Sequence, residues 1–131
     1  MKRKELLKVF ILKEFTDVTG KDLSLHYIFC SDAYLLKINN DFLGHDYYTD
    51  IITFPLEETP KRTMAEVYIS VDRVKDNASK HRVLMEDEML RVMFHGVLHL
   101  MGMHDKTEEE QAAMRRAEDA WIEKYKAVIA R

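Results

Sequence analysis

Four residues with metal-ligating side chains lie within the segment FHGVLHLMGMHD. His95 and His99 are four positions apart, so on a helix their imidazoles lie on one face and can share one ion. Gly102 lets the chain leave that helix, and His104 and Asp105 follow directly. Because a tetrahedral site needs a third ligand from another direction, this return of the chain supplies it. The spacing therefore predicts a site for one Zn²⁺ ion.

Two neighbouring residues, His104 and Asp105, are candidates for the third ligand. In the metzincin spacing H-E-x-x-H-x-x-G-x-x-H, the third-ligand position falls on Asp105, with His104 one place early. A carboxylate is an acceptable zinc ligand, so we expect Asp105 to bind the ion. His104 is the rival third ligand, or else a group beside the ligands that carries protons.

Gly96 separates this segment from the zinc peptidases with the same histidine spacing. In those enzymes a glutamate follows the first histidine and acts as the general base. The sequence thus predicts a zincin-like metal helix without the peptidase base, which argues against a protease. A glycine inside a helix costs about 1 kcal/mol relative to alanine. Two explanations for a glycine at this position are equally good. Either a substrate or another backbone approaches the metal closely, or the helix packs tightly against its neighbour.

Asp50 is a second candidate catalytic residue, in the segment GHDYYTDIITFP. It stands just before a predicted strand and could serve beside the metal as a carboxylate or as a proton carrier. Capping of the strand is the structural alternative, and the spacing alone favours it. Together with His104, Asp50 completes the predicted catalytic set.

The elements that must position these residues are five helices and three strands. Periodicity predicts helices at 2–16, 32–42, 71–80, 86–101 and 108–128, and strands at 23–29, 50–56 and 65–71. Pro55 is expected to close the second strand, because proline cannot donate to the ladder, and 57–63 is then a long hairpin loop. Glu88 and Arg91 are predicted to form an exposed, ion-paired helix face. This order predicts an α+β fold, with a small mixed sheet packed against helices.

Composition limits the possible class of protein. The chain has 131 residues, 47% hydrophobic and 33% charged, with four Gly and two Pro, which excludes collagen-like and largely disordered chains. We expect one domain over residues 1–131. The net charge of -3 argues against a tight duplex-DNA binder. Cys30 is the single cysteine, so it has no partner for an internal disulfide. No segment has the pattern of a membrane span or of a signal peptide. We therefore expect a cytoplasmic location.

Three blocks of the sequence resemble one known family. HGVLHLMGMHD resembles the H-G-x-L-H-L-x-G-Y-D-H signature of the YbeY family of metal-dependent endoribonucleases. INNDFLGHDYYTDIITFP resembles its L-N-x-x-Y-R-x-x-D-x-x-T-D-V-L-S-F-P block, and AEVYIS resembles its G-D-I-x-I-S strand. The resemblance implies a zinc-bearing α+β domain in which His95 and His99 are the first two ligands. It also implies that the protein cleaves single-stranded RNA and acts in 16S ribosomal RNA 3′-end maturation and ribosome quality control. The expected partner is the small ribosomal subunit, and binding to DNA or to a membrane is not expected.

Two positions depart from the family pattern. The final D-H pair is inverted to His104-Asp105, so that Asp105 occupies the position of the third histidine ligand. The arginine of the second block falls on Leu43, which removes an expected phosphate contact. The nearby residues that could replace it are His45, Lys61 and Arg62.

The sequence as a whole predicts metal-assisted hydrolysis of RNA phosphodiesters. It leaves open whether water or the RNA 2′-hydroxyl attacks the phosphorus. One alternative is a metallopeptidase-like hydrolase of other substrates, against which Gly96 argues. The other is a non-catalytic, ribosome-associated metal-binding module, whose structural site would be closed by a fourth protein ligand.

Overall fold

The computed structural model describes residues 3–130, which form five helices and three strands. In chain order these are α1 (Arg3–Thr19), β1 (Asp22–Cys30), α2 (Asp32–Leu43), β2 (Ile51–Glu58), β3 (Arg62–Ser70), α3 (Val71–His81), α4 (Met85–Leu100) and α5 (Glu108–Ile129). The predicted order of elements is confirmed, and helix ends differ from the predictions by a few residues at most.

The three strands form one mixed sheet in the order β1-β3-β2. β1 runs parallel to β3, from the pair Asp22–Arg62 to the pair Cys30–Ser70. β2 runs antiparallel to β3, and its first residue, Ile51, pairs with Ile69. The predicted α+β fold with a small mixed sheet is therefore confirmed, as is the antiparallel hairpin.

Two predictions about this hairpin are wrong. Pro55 does not end β2, which continues to Glu58 through an irregular pairing between Pro55 and Glu57. β2 is an edge strand, where a proline that cannot donate and a bulge are both tolerated. The loop predicted at 57–63 is accordingly short, because Thr59 closes it: its amide donates to the Arg62 carbonyl at 2.8 Å, and its hydroxyl accepts from the Arg62 amide at 3.0 Å.

Helix α4 lies between the sheet and the helices α1 and α5. On one side Phe94 and Val97 are fully buried among aromatic side chains, with the Phe94 ring 5.6 Å from Phe10 and 5.4 Å from Trp121. On the other side Val92 packs in a cluster with side chains of β3 and α3. Burial of each such side chain contributes about 1.5–3 kcal/mol, so the backbone of α4 is held firmly from both sides.

The chain leaves α4 through a glycine and enters α5 through a side-chain cap. Gly102 has φ +97°, a conformation that other residues adopt only with strain. A capping box begins α5: the Thr107 hydroxyl accepts from the Glu110 amide at 3.1 Å, and the Glu110 carboxylate accepts from the Thr107 amide at 3.0 Å. This fixed connection carries residues 103–106 across the end of α4.

Residues 3–130 contain no helix that is both long and apolar enough to span a bilayer.

Candidate metal centre

His95, His99 and Asp105 converge at the end of α4. The two imidazole rings lie 4.8 Å apart, nearly perpendicular to each other. Nε2 of His95 is 3.3 Å from Asp105 Oδ2, and Nε2 of His99 is 3.5 Å from Asp105 Oδ1. One ligand atom from each residue lies within 4.8 Å of the other two. The helical spacing and the glycine exit thus bring together the three side chains that the sequence singled out.

These distances suit a small divalent cation. In a tetrahedral zinc site with bonds of about 2.0–2.1 Å, neighbouring ligand atoms are separated by about 3.4 Å. The two imidazole-to-carboxylate distances, one to each oxygen of Asp105, are close to this value. Within residues 3–130 the group has these three members, so a bound ion would keep a coordination position for another molecule. A set of two histidines and one carboxylate with an open position is typical of catalytic rather than structural zinc sites.

His104, the rival third ligand, occupies a different position. Its side chain is exposed on the connection between α4 and α5, and it lines neither of the cavities described below. Its electrostatic neighbour is Glu110, in the first turn of α5. The turn at Gly102 therefore directs Asp105 toward His95 and His99 and leaves His104 facing solvent.

Glu118 of α5 is a site residue that the sequence analysis missed. Its Oε2 lies 2.7 Å from Nδ1 of His95, and its Oε1 accepts from Arg91 at 3.0 Å. It is buried on the face of α5 that also carries Met114 and Trp121. An acidic residue on the apolar stripe of an amphipathic helix is the signal that could have identified it, because buried carboxylates require partners.

The carboxylates around His95 shift its titration. Burial disfavours the imidazolium, but the hydrogen-bonded Glu118 carboxylate, with Asp105 and Asp50 nearby, raises the pKa of His95 above its ordinary value. The protein therefore sets up a negative field at this end of α4. Such a field favours a cation between the ligand side chains.

The prediction of an exposed face at Glu88 and Arg91 is wrong. Glu88 is 5% exposed, and the Arg91 side chain is 19% exposed and paired with Glu118 and Asp119 of α5. Both residues lie on the same stripe of α4 as His95, Glu88 seven and Arg91 four positions before it. That stripe faces α3 and α5, so the ion pairs are formed inside the molecule.

Asp50 lies beside the group formed by His95, His99 and Asp105, called the metal-ligand group below. Its carboxylate is within 3.5 Å of the Asn77 amide nitrogen, and its backbone carbonyl accepts from the Ser70 amide at 2.9 Å. Burial raises the pKa of the Asp50 carboxyl, and this effect prevails over the opposing influence of a backbone hydrogen bond and of His95. The residue before β2 thus combines a structural role of its backbone with a side chain directed into the site.

Two cavities meet at these residues. The first has a volume of about 500 Å³ and the second about 440 Å³. Asp50, Ile51, His95 and Asp105 line both of them. The first extends along α2 and β2, and the second extends between α3, α4 and α5. The candidate metal centre therefore lies in the middle of a continuous depression that is open on two sides.

Gly96 faces the sheet rather than the cavities. A Cβ atom at this position would lie 3.1 Å from Ile51 Cδ1 and 3.3 Å from Val67 Cγ1. Of the two explanations left open by the sequence, tight packing of the helix is the one confirmed. A glutamate here would be directed into β2 and β3, so the position offers no place for a peptidase base.

The three residues considered for phosphate binding lie in two places. His45 lines the first cavity, as does Leu43, which stands where the family pattern has its arginine. Lys61 and Arg62 lie at the hairpin turn, at the opposite end of the eight-residue strand β2, about 25 Å from its start. Arg62 is also paired with Glu57. Of these candidates, His45 alone is positioned near the metal-ligand group.

Comparison with known proteins identifies relatives of the chain. The family model described as Endoribonuclease YbeY matches residues 3–126. A protein named Endoribonuclease YbeY from Cytophaga hutchinsonii is 55% identical over 98 residues, which are 75% of this chain and 68% of the relative. Its counterpart from Amoebophilus asiaticus is 45% identical over 100 residues, 76% of this chain and 68% of the relative. The solution structure of TM1509 from Thermotoga maritima, 29% identical, aligns with a TM-score of 0.63 over 95% of this chain and 84% of that one.

Proposed function

The chain belongs to the YbeY family of endoribonucleases, and from that membership we propose that it is a zinc-dependent enzyme that hydrolyses phosphodiester bonds of single-stranded ribosomal RNA. The observation that carries the proposal is the convergence of His95, His99 and Asp105 at the junction of two cavities. We also propose that residues 1–131 act as one such domain, which the span of the family match supports.

The three converging side chains are the proposed ligands of one Zn²⁺ ion. Two of them belong to α4, the proposed metal helix, and the third follows it. The separations of 3.3 and 3.5 Å support Asp105 as the third ligand, and the exposed position of His104 argues against the rival choice. A zinc ion in such a set supplies Lewis-acid chemistry, because it lowers the pKa of water toward about 7 and neutralises negative charge that develops on a phosphate.

Asp50 is the proposed proton carrier. Because burial raises its pKa, its carboxyl group keeps a proton closer to neutral pH than an exposed aspartate does. It lines both cavities, so it can reach either the attacking or the leaving oxygen of a phosphodiester that lies across the metal-ligand group. The sequence also offered His104 for this role, and its solvent-facing position supports Asp50 instead.

The attacking group is either water or the RNA 2′-hydroxyl, and the product distinguishes them. Attack by the 2′-hydroxyl on the adjacent phosphorus expels the 5′-oxygen and leaves a 2′,3′-cyclic phosphate. Attack by water leaves a linear monophosphate. Mass spectrometry of the fragments from a short RNA therefore identifies the nucleophile directly.

The cellular role that we propose is 3′-end maturation of 16S ribosomal RNA and ribosome quality control in the cytoplasm, with the small ribosomal subunit as partner. Family membership supports this role. Mapping of 16S 3′ ends in cells depleted of the protein tests it, with complementation by the intact chain and by His99→Ala. Unprocessed 3′ ends are expected in depleted cells and with the variant. Mature ends in depleted cells would contradict the proposed role.

The proposed chemistry is tested on the purified protein. Zinc content and cleavage of an end-labelled single-stranded RNA are measured with and without a chelator. His99→Ala and Asp105→Ala should lose both zinc and cleavage, whereas His104→Ala, the matched control on the same connection, should keep its zinc. Full zinc content in Asp105→Ala, or cleavage that resists the chelator, would contradict the proposal.

A further inference from the structure

An aromatic pair on the wall of the first cavity has no part in the proposed chemistry. The rings of His45 and Tyr47 are stacked, with centroids 5.1 Å apart and planes 20° from parallel. The Tyr47 hydroxyl lies 3.0 Å from His45 Nδ1. Both residues are exposed, Tyr47 to 57%, and both line the cavity that contains the metal-ligand group. The pair therefore presents flat aromatic surface close to where a phosphodiester would be cleaved.

The backbone of this pair is held in place by a buried side chain. Asn39 is 2% exposed, and its amide nitrogen donates to the Tyr47 carbonyl at 3.0 Å. The His45 amide donates in turn to the Asn39 carbonyl at 3.1 Å. Because the connection after α2 is anchored to the helix, little conformational entropy remains to be lost when a ligand packs on these rings.

Electrostatics around the centre cannot supply much affinity for a polyanion. Four carboxylates line the two cavities, on Asp50, Glu88, Asp105 and Glu118. They face two guanidinium groups, Arg91 and Arg115, so a divalent cation would bring this set only to neutrality. A nucleic-acid strand bound here would therefore gain part of its affinity from contacts with its bases.

We propose, on the basis of the function proposed above, that Tyr47 and His45 form a platform on which an unpaired nucleobase beside the scissile phosphate stacks. Base–aromatic stacking tolerates any base, since each has a π-face. In a duplex these faces are covered by the neighbouring base pairs. The platform therefore selects single-stranded RNA. It also compensates for the phosphate contact that is lost because Leu43 stands at the position of the family's arginine.

Tyr47→Ala tests the platform, and Tyr48→Ala is its matched control. Tyr48 is 54% exposed, lies against Arg73 and lines neither cavity. Binding of the zinc-loaded full chain is measured with a fluorescein-labelled 2′-O-methyl ten-mer of adenosine, and with an abasic strand of the same length. Tyr47→Ala should bind the adenosine strand roughly 5- to 150-fold more weakly, the equivalent of losing one stacked base. It should bind the abasic strand as the intact chain does, and Tyr47→Phe should restore most of the affinity.

Equal binding of the adenosine strand by Tyr47→Ala and the intact chain would overturn the platform, as would an equal loss on the abasic strand. Cleavage assays separate this failure from that of the proposed function. If Tyr47→Ala cleaves RNA with unchanged KM, the platform is wrong and the nuclease stands. If the intact chain shows base-dependent binding but no cleavage, the platform stands and the nuclease does not.

On the other side of the metal centre, Arg115 is available for contact with a phosphate. Arg115 lines the second cavity from α5, and within residues 3–130 no carboxylate lies within ion-pair distance of it. Arg91, the other guanidinium there, is committed to Glu118 and Asp119. We infer that Arg115 binds a backbone phosphate of the RNA, a role that the remote Lys61 and Arg62 cannot fill.

Arg115→Gln tests this contact against Arg116→Gln, an exposed neighbour that lines neither cavity. The loss of one phosphate contact should weaken binding of the adenosine and abasic strands alike, and should lower the slope of log K against log salt by about 0.7. Arg116→Gln should leave the slope unchanged. Equal slopes for Arg115→Gln and the intact chain, or a loss confined to the adenosine strand, would overturn the assignment.

Discussion

The Glu118 carboxylate lies 2.7 Å from Nδ1 of His95 and so links α5 to the face of α4 that carries the proposed metal ligands. A carboxylate at Nδ1 fixes the orientation of the ring and leaves Nε2 facing Asp105. Arg91 balances the charge of Glu118 from the opposite side, at 3.0 Å. The site is thus supported by a buried network in which each member is paired, and its stiffness comes from the packing of α4 on α5.

Glu118→Gln should weaken zinc binding by about 10- to 100-fold, because outer partners of ligating histidines set their orientation and basicity. Competition with a chromophoric chelator at pH 7 measures the affinity. Asp119→Asn is the matched control, since Asp119 also contacts Arg91 but does not reach His95. Equal zinc affinities for Glu118→Gln and Asp119→Asn would show that the carboxylate does not support the ligand.

Asp50→Asn should stabilise the metal-free protein and impair cleavage. Burial raises the folded-state pKa of Asp50, so the ionised carboxylate destabilises the fold once the pH exceeds that pKa. An asparagine has no charge to bury, and its amide oxygen can still accept from Asn77. Urea denaturation at pH 7 should therefore show a more stable variant, while cleavage falls about 100- to 10,000-fold with the loss of the proton carrier.

The pH dependence provides the check on this explanation. Below the unfolded-state pKa of about 3.9 the carboxyl is protonated in both states, so the advantage of Asp50→Asn should disappear there. As the pH rises through the folded-state pKa, intact protein loses stability relative to the variant. A stability difference that stays constant from pH 3.5 to pH 7 would exclude ionisation of Asp50 as its cause.

The sequence pointed to the proposed metal ligands because their signals are local. Four-residue spacing on a helix and a glycine exit place His95, His99 and Asp105 within one short segment, and the structure brings these residues together. The three strands and five helices were predictable for the same reason, since each depends on periodicity over ten residues or so.

What the sequence could not give depends on contacts between distant segments. Glu88 resembles part of a solvated ion pair on α4 until His81 of α3 lies beside it, 3.5 Å away. Arg91 resembles the other part until Glu118 of α5, 27 residues later, packs against it. Glu118 becomes a site residue through the same packing. The extension of β2 past Pro55 depends on its edge position in the sheet, which no local pattern specifies. These errors all concern burial or pairing that tertiary structure decides.

Gly96→Ala should destabilise the protein by about 1 kcal/mol, although alanine is the better helix former. The added methyl would lie 3.1 Å from Ile51 Cδ1 and 3.3 Å from Val67 Cγ1, and such overpacking costs about 1–3 kcal/mol against a gain of about 1 in helix propensity. Thermal or urea denaturation measures the difference. In an Ile51→Val background, which removes Cδ1, the same substitution should cost less. Equal costs in the two backgrounds would show that this contact is not the cause.

Leu43→Arg should increase affinity for single-stranded RNA. Leu43 lines the first cavity, beside the proposed base platform, at the position where the family pattern has an arginine. A guanidinium there adds one phosphate contact, so the slope of log K against log salt should become steeper by about 0.7. Val18→Arg adds the same charge on α1, at a side chain that is 68% exposed and lines neither cavity. A similar gain in both variants would indicate that net charge, rather than the position beside the metal centre, limits RNA binding by this acidic chain.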